Sequence, residues 1–131
     1  MIKIRLSGIP VDDQEKALKF YTETLGFLKQ QDIPMGEFRW LTVVSPYTDD
    51  IELVLEPLAF PPARVYQRAL FDAGIPITAF ATDDLEAEFE RLLKHQVRFV
   101  TPPTQMGPVS VAMFEDTCGN LVQLYQIETA P

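Results

Sequence analysis

Few side chains in this sequence can do chemistry alone. Its 131 residues include one histidine, His95, and one cysteine, Cys118. A zinc, iron or copper centre ordinarily takes two or more imidazoles, and a single His cannot build one. His95 follows Lys94 late in a helical pattern, where a cation suits the helix C-terminus, and no adjacent Ser or Asp completes a triad. It is expected on the surface. Cys118 lies in a turn with nothing nearby to lower its thiol pKa, and it has no partner for an internal disulfide. The acidic pairs Asp12-Asp13 and Asp83-Asp84 stand directly before helical patterns, which makes them caps rather than cation ligands. Six glycines are scattered singly, so there is no phosphate-cradling loop.

Charge narrows the partners. Lys plus Arg is 11 against 19 for Asp plus Glu, a net charge of −8. Such a surface repels nucleic-acid phosphates and anionic membranes, so neither is an expected partner. No stretch approaches the roughly 20 apolar residues of a membrane span, and the first residues lack the apolar block of a secretory signal. A reducing, cytoplasmic location is the expectation. An apolar share of 47% is enough for a core.

The elements that position any site are readable from periodicity. Ile2 to Leu6 alternates as a strand does. Residues 12–25 predict a helix: Asp12 as N-cap, Glu15 as its capping-box partner, an apolar stripe at Ala17, Leu18, Tyr21 and Leu25, and Gly26 as C′. Arg39–Val44 and Ile51–Glu56 read as strands, and Phe27–Ile33 is a further candidate. A proline-rich connection with a short helical pattern at Val65, Ala69 and Leu70 follows. Then come a strand at Ile75–Ala81, a helix capped by Asp83 with Glu86, and a short strand at Arg98–Val100 ended by Pro102-Pro103. Strands at Val109–Glu115 and Leu121–Ile127 complete the chain. Gln30–Phe38 and Thr101–Pro108 read as loops.

The halves superpose at one offset. Asp12 to Asp83 and Glu15 to Glu86 are each 71 apart (83 − 12 and 86 − 15), and the same shift sets Trp40 on Val111 and Glu52-Leu53 on Gln123-Leu124. A shared offset across a helix start and two strands indicates an internal duplication. The expected fold is α+β: two tandem βαβββ modules forming a cupped mixed sheet with helices outside. A single domain, 1–131, would hold module 1 at about 1–57, a connection at about 58–74 and module 2 at about 75–128.

A duplicated βαβββ unit of this length resembles the vicinal oxygen chelate superfamily, which includes glyoxalase I, bleomycin-resistance proteins and extradiol dioxygenases. The resemblance rests on Val11-Asp12 leading into Lys16-Ala17-Leu18-Lys19-Phe20-Tyr21, on Leu25-Gly26-Phe27, on Ile51-Glu52-Leu53, and on Glu115-Asp116-Thr117-Cys118-Gly119-Asn120-Leu121. It covers nearly the whole chain. Metal-dependent members place one ligand on the first and last strand of each module. The resemblance puts these positions at Leu6 and Glu52, and the offset of 71 adds Ile77 and Gln123. Leu6 and Ile77 carry no donor atom, so no metal and no cofactor is expected.

Strand alternation turns Glu52, Val54 and Glu56 to one face, with Gln123, Leu121 and Tyr125 on the matching face of the other module. Leu6 joins Ile4 and Gly8, and Ile77 joins Ala79. The expected site is therefore an apolar cup with one carboxylate and one amide, suited to a small organic molecule. Glu52, Gln123, Trp40, Leu6, Ile77 and Tyr125 are its candidate ligand-binding residues. Trp40, the only Trp, would stack on a flat ligand or pack against a helix. Arg39 must face the other way. Glu52 has four open readings, the plainest being a side chain that points to water at the mouth of the cup. A partly buried carboxylate of raised pKa would be a general base for proton transfer beside a carbonyl. An ionised one would contact a ligand. One paired with Arg5 or Arg39 would only brace the sheet. The leading expectation is a metal-free binding protein, by the resemblance often a homodimer. The rival is a lyase, isomerase or dioxygenase-type enzyme using Glu52 as base or within a non-standard metal site.

Overall fold

The computed structural model describes residues 1–128; the last three residues of the expected domain lie outside it. The chain forms two compact units, Met1–Tyr66 and Gln67 onward. Each holds one four-stranded mixed sheet.

In the first unit β1 (Leu6–Val11) leads into α1 (Gln14–Lys19), which continues as a π-helical turn over Phe20–Thr24. β2 (Leu28–Met35), β3 (Phe38–Val44) and β4 (Glu52–Pro57) follow. The sheet order is β1-β4-β3-β2, with β1 parallel to β4 and the other pairs antiparallel. β1 begins where the alternation of Ile2–Leu6 was expected to end, because pairing with β4 starts at Leu6 and Glu52. Pro10 does not break it: β1 is an edge strand, where a missing N–H costs little.

The longer β1 moves the helix start by one residue. Asp13, not Asp12, is the N-cap, accepting from the Lys16 N–H at 3.0 Å, while Asp12 pairs with the Lys16 ammonium at 2.9 Å. Glu15 closes no capping box and reaches Arg39 instead. In the second unit Asp84 caps α3 in the same way through the Ala87 N–H. The 71-residue offset therefore survives, as 84 − 13.

One face of the first sheet buries Ile9, Val11, Leu41, Val43 and Leu55 with Ala17 and Tyr21. Buried Gln14 fastens α1 there. Its amide nitrogen donates to the Arg39 and Leu55 carbonyls at 2.8 and 2.9 Å, and its oxygen accepts from the Arg39 N–H at 3.0 Å.

α2 (Pro61–Ala73) occupies the connection as a full 13-residue helix, entered through Pro61-Pro62, where proline suits the first turn. The second unit continues with β5 (Thr78–Ala81), α3 (Leu85–Lys94), β6 (Phe99–Met106), β7 (Val109–Glu115) and β8 (Leu121–Ile127), in sheet order β5-β8-β7-β6. The stretches 30–38 and 101–108, expected as loops, are mostly hairpin strands. Their tips are Gly36 and Gly107, each at positive φ (64° and 65°), as tight hairpins require. β6 runs through Pro102-Pro103 because it is an edge strand and its register breaks between Thr101 and Thr104. His95 caps the C-terminus of α3 and is exposed, its Nδ1 3.0 Å from the Arg91 carbonyl oxygen.

The turn from β7 to β8 is built on a buried carboxylate. Asp116 accepts from the Cys118 N–H (2.8 Å), the Asn120 N–H (3.0 Å) and the Asn120 side-chain amide (2.8 Å). Gln67 of α2 then donates to the Cys118 carbonyl and to Asn120 Oδ1. Cys118 is fully buried there, so the turn thiol is not presented to solvent. Gly119, at φ 97°, leaves room for Gln67, whose amide oxygen would lie 2.7 Å from an added Cβ. Asp116→Ala strands three buried donors and should lower stability by about 3 kcal/mol, read as a reduced urea midpoint at unchanged slope. A loss under about 0.5 kcal/mol would show that the turn holds itself without the carboxylate.

Candidate functional site

The face of the first sheet turned away from α1 carries Leu6, Gly8 and Pro10 on β1, Glu52, Val54 and Glu56 on β4, and Trp40, Thr42 and Val44 on β3, by strand alternation. Glu52 stands beside Leu6 on the parallel partner. Trp40 is half-buried on this face, opposite fully buried Leu41 and Val43, so it does not pack on α1.

Glu52 is held by two residues that the sequence did not single out. Its Oε1 accepts from the Gln31 side-chain amide at 2.7 Å and from the Thr42 hydroxyl at 2.7 Å. The Thr42 oxygen in turn accepts from the Gln31 backbone N–H at 3.1 Å. A register shift between Lys29 and Gln31 in β2 accompanies this arrangement. Gln31 was hidden because it fell where the candidate strand Phe27–Ile33 overlaps the expected loop Gln30–Phe38, and β2 (Leu28–Met35) bears out the strand there. Thr42, fully buried between Leu41 and Val43, was the available signal: a hydroxyl in an apolar strand needs a partner.

These bonds favour the anion of Glu52. The donors from Gln31 and Thr42, helped by the nearby charge of Arg5, hold its carboxyl below the ordinary 4.5 and outweigh the opposing effect of burial. The raised pKa expected of a general base is absent, because donors aimed at the anion favour it more than desolvation opposes it. Nor does Arg39 brace Glu52. Its guanidinium clamps Asp32 with bonds of 3.0 and 2.7 Å and reaches Glu15 at 2.9 Å on the α1 side. That clamp raises the Arg39 pKa and lowers that of Asp32. Arg5 meets Glu52 through the backbone, its carbonyl accepting the Glu52 N–H at 2.8 Å.

The second sheet places Gln123 differently from the repeat arithmetic. Thr42 pairs with Val54, whereas Met113 (42 + 71) pairs with Gln123 (54 + 69). Ile77 (6 + 71) stands beside Leu121, donating its N–H to the Leu121 carbonyl at 2.9 Å. The connection into the last strand spans residues 45–51 in the first unit and only 116–120 in the second, two fewer. Leu121 is thus the counterpart of Glu52, and Gln123 that of Val54. Gln123 and Tyr125 remain half-buried on one face of β8, beside Ala79 and Ala81 of β5. Ile77 lies just before β5.

Residues 3–124 match the family model of the Glyoxalase/Bleomycin resistance protein/Dioxygenase superfamily, and the chain belongs to that family. It is 51% identical over 126 residues to the uncharacterized protein YurT of Bacillus subtilis (strain 168), covering 95% of this chain and 99% of that one. Among solved structures it resembles UcmS2, with a TM-score of 0.83 and 30% identity over 95% of this chain and 98% of the other. It also resembles TnmS3, an antibiotic binding protein from Streptomyces sp. CB03234, with a TM-score of 0.78 and 32% identity over 98% of both chains.

The residues present do not fit the four-ligand centre of metal-dependent relatives. Leu6 and Ile77 lack donor atoms, and the register puts Leu121 where the last ligand would match Glu52. Among the described residues no three His, Cys, Asp or Glu side chains group to hold an ion.

The depressed pKa has a testable sign. A carboxylate stabilised in the fold contributes stability above its unfolded pKa and loses it as pH falls through the folded value. In a Gln31→Leu/Thr42→Val variant the carboxyl-carbon NMR titration of Glu52 should move up towards 4.5 or beyond. The stability gap between wild type and variant should be full at neutral pH and narrow below 4.5. Wild-type Glu52 titrating at or above that value would contradict the geometry.

Proposed function

We propose that this glyoxalase/bleomycin-resistance family member is a metal-free binding protein for a small organic molecule, held against the first sheet with Glu52 as its polar contact. The observation that carries the reading is the built carboxylate: one oxygen fixed by Gln31 and Thr42, beside exposed Leu6 of β1, with half-buried Trp40 further along β3 on the same face. Apolar walls with one placed polar group are the usual composition of a small-ligand site. The similarity to an antibiotic binding protein over 98% of both chains supports the same class of function. A base role for Glu52 draws less support, since a carboxylate held below its ordinary pKa is a weaker proton acceptor. On the second sheet, taken by itself, half-buried Gln123 and Tyr125 with neighbouring Ile77 are proposed as ligand contacts of that sheet.

The proposal includes a homodimer in the cytoplasm. Leu6, Leu28, Ile33, Met35 and Phe38 of the first sheet are all exposed, and a second copy of the chain would cover apolar side chains of this kind. Sedimentation equilibrium should return twice 14.9 kDa, and a monomer at micromolar concentration would remove that part.

A thermal-shift screen of drug-like compounds should yield ligands that raise the melting temperature, since a ligand of the native state stabilises it. Glu52→Gln should weaken the best of them about tenfold without altering the unliganded protein's fold. Protein dialysed against Mn, Fe, Ni, Zn and Mg should retain substoichiometric metal. A near-stoichiometric ion lost in Glu52→Ala, or ligand turnover abolished in Glu52→Gln, would replace the binding reading with the enzymatic one.

A further inference from the structure

Glu52 is not the only acid on its face. Glu56 follows it by four residues on β4, so the two carboxylates share the face turned away from α1, with Val54 between them. Gly8 opposite is what lets Glu56 lie over β1: an added Cβ there would come within 2.8 Å of the Glu56 carboxyl carbon. The other paired strand positions on this face are Leu6, Gly8 and Pro10 of β1, Phe38, Trp40, Thr42 and Val44 of β3, and Leu28, Gln31, Ile33 and Met35 of β2. No Lys or Arg is among them. Lys29 and Arg39 belong to the opposite face with Val43 and Leu41. Arg5, just ahead of β1, is the cation whose charge reaches Glu52, and it makes no ion pair with it among the described residues.

The hydrogen bonding of Glu52 is one-sided. Gln31 and Thr42 both bond Oε1, and Oε2 takes no donor among the described residues. An anion oriented by two fixed donors, with its second oxygen directed elsewhere, is organised to receive a donor from outside. Further along the same face stands the only indole of the chain, Trp40, two positions beyond Thr42 on β3 and across from Glu56 by the extended register, with the exposed ring of Phe38 two positions further. An indole face also attracts a cation.

We propose that the ligand of this site is an aromatic cation, whose protonated amine or amidinium bonds Glu52 Oε2 while its ring system lies against Trp40. Gln31 and Thr42 act as positioning residues, and Glu56 adds a second, more exposed negative charge. This rests on the small-molecule reading above and narrows it to one ligand chemistry. The net charge of −8 assists encounter but does not select the site, so the test must separate the two.

The probes are phenyl, naphthyl and anthracenyl frameworks, each carrying an aminomethyl, a hydroxymethyl or a carboxylate group, titrated by calorimetry at pH 7. The aminomethyl member of a set should bind about tenfold tighter than its hydroxymethyl counterpart, with the carboxylate weakest. Glu52→Gln should abolish the preference, Glu56→Gln should reduce it about threefold, and Glu86→Gln on α3 should leave it intact although it removes the same charge. Gln31→Leu should shift the acid limb of amine binding to higher pH, an effect that lost packing alone would not produce. Equal affinity for amine and alcohol would overturn the cation anchor and leave small-molecule binding standing. A preference lost equally in Glu86→Gln would reduce the anchor to net charge. Failure of every framework to bind would remove both readings.

Discussion

Each sheet is closed by a parallel pair between its first and last strands, and most of the local structure answers to that pairing. A parallel neighbour cannot be reached by a tight turn, so the chain must cross over the sheet, and α1 and α3 begin those crossings. Once β1 lies beside β4, alternation assigns every side chain to a face. Ile9, Val11, Leu53 and Leu55 turn towards α1, and Leu6, Gly8, Glu52, Val54 and Glu56 turn away. Glu52 is therefore kept from the helix side by the same register that buries Leu55. A one-residue slip would exchange the two sets, at the cost of burying both acids.

Polar groups carry the joints between these elements. Gln14 bonds three backbone groups on β3 and β4, and Asp116 with Asn120 and Gln67 ties a turn to α2. No buried side-chain nitrogen or oxygen among the described residues lacks a partner. Such joints are specific because each alternative placement leaves a buried donor or acceptor unmet. Glu52 differs in kind: its partners bond one oxygen, Oε1, and the other takes no donor among the described residues.

The fold was legible because its signals were periodic. The strands Val109–Glu115 and Leu121–Ile127 stand where alternation put them, and the late Asp-x-x-Gly-Asn turn lies where the family resemblance marked it. The misses share one physical origin. Pro10 and Pro102-Pro103 signal interruption locally, but edge position and a bulge remove the need for their missing N–H groups. A gain in pairing likewise moved β1 and the caps by a residue or more. The site was legible only in part. Glu52 and Trp40 follow from alternation, whereas Gln31 reaches Glu52 through a register shift that periodicity cannot encode.

The two units also show how a duplication stops being symmetric. The offset of 71 holds for both N-caps and for the strands of both hairpins, then drops to 69 in the last strand because the turn before it is two residues shorter. An even difference preserves alternation, so the core face of β8 stays a core face and the fold tolerates the change. What changes is which residue stands beside the first strand. It is Glu52 beside Leu6 in one unit and Leu121 beside Ile77 in the other. An odd difference would have turned Val122 and Leu124 outward and been costly. A two-residue step was therefore a low-cost way to remove the chemical match between the halves, leaving one sheet with an organised carboxylate and the other with leucine at its place.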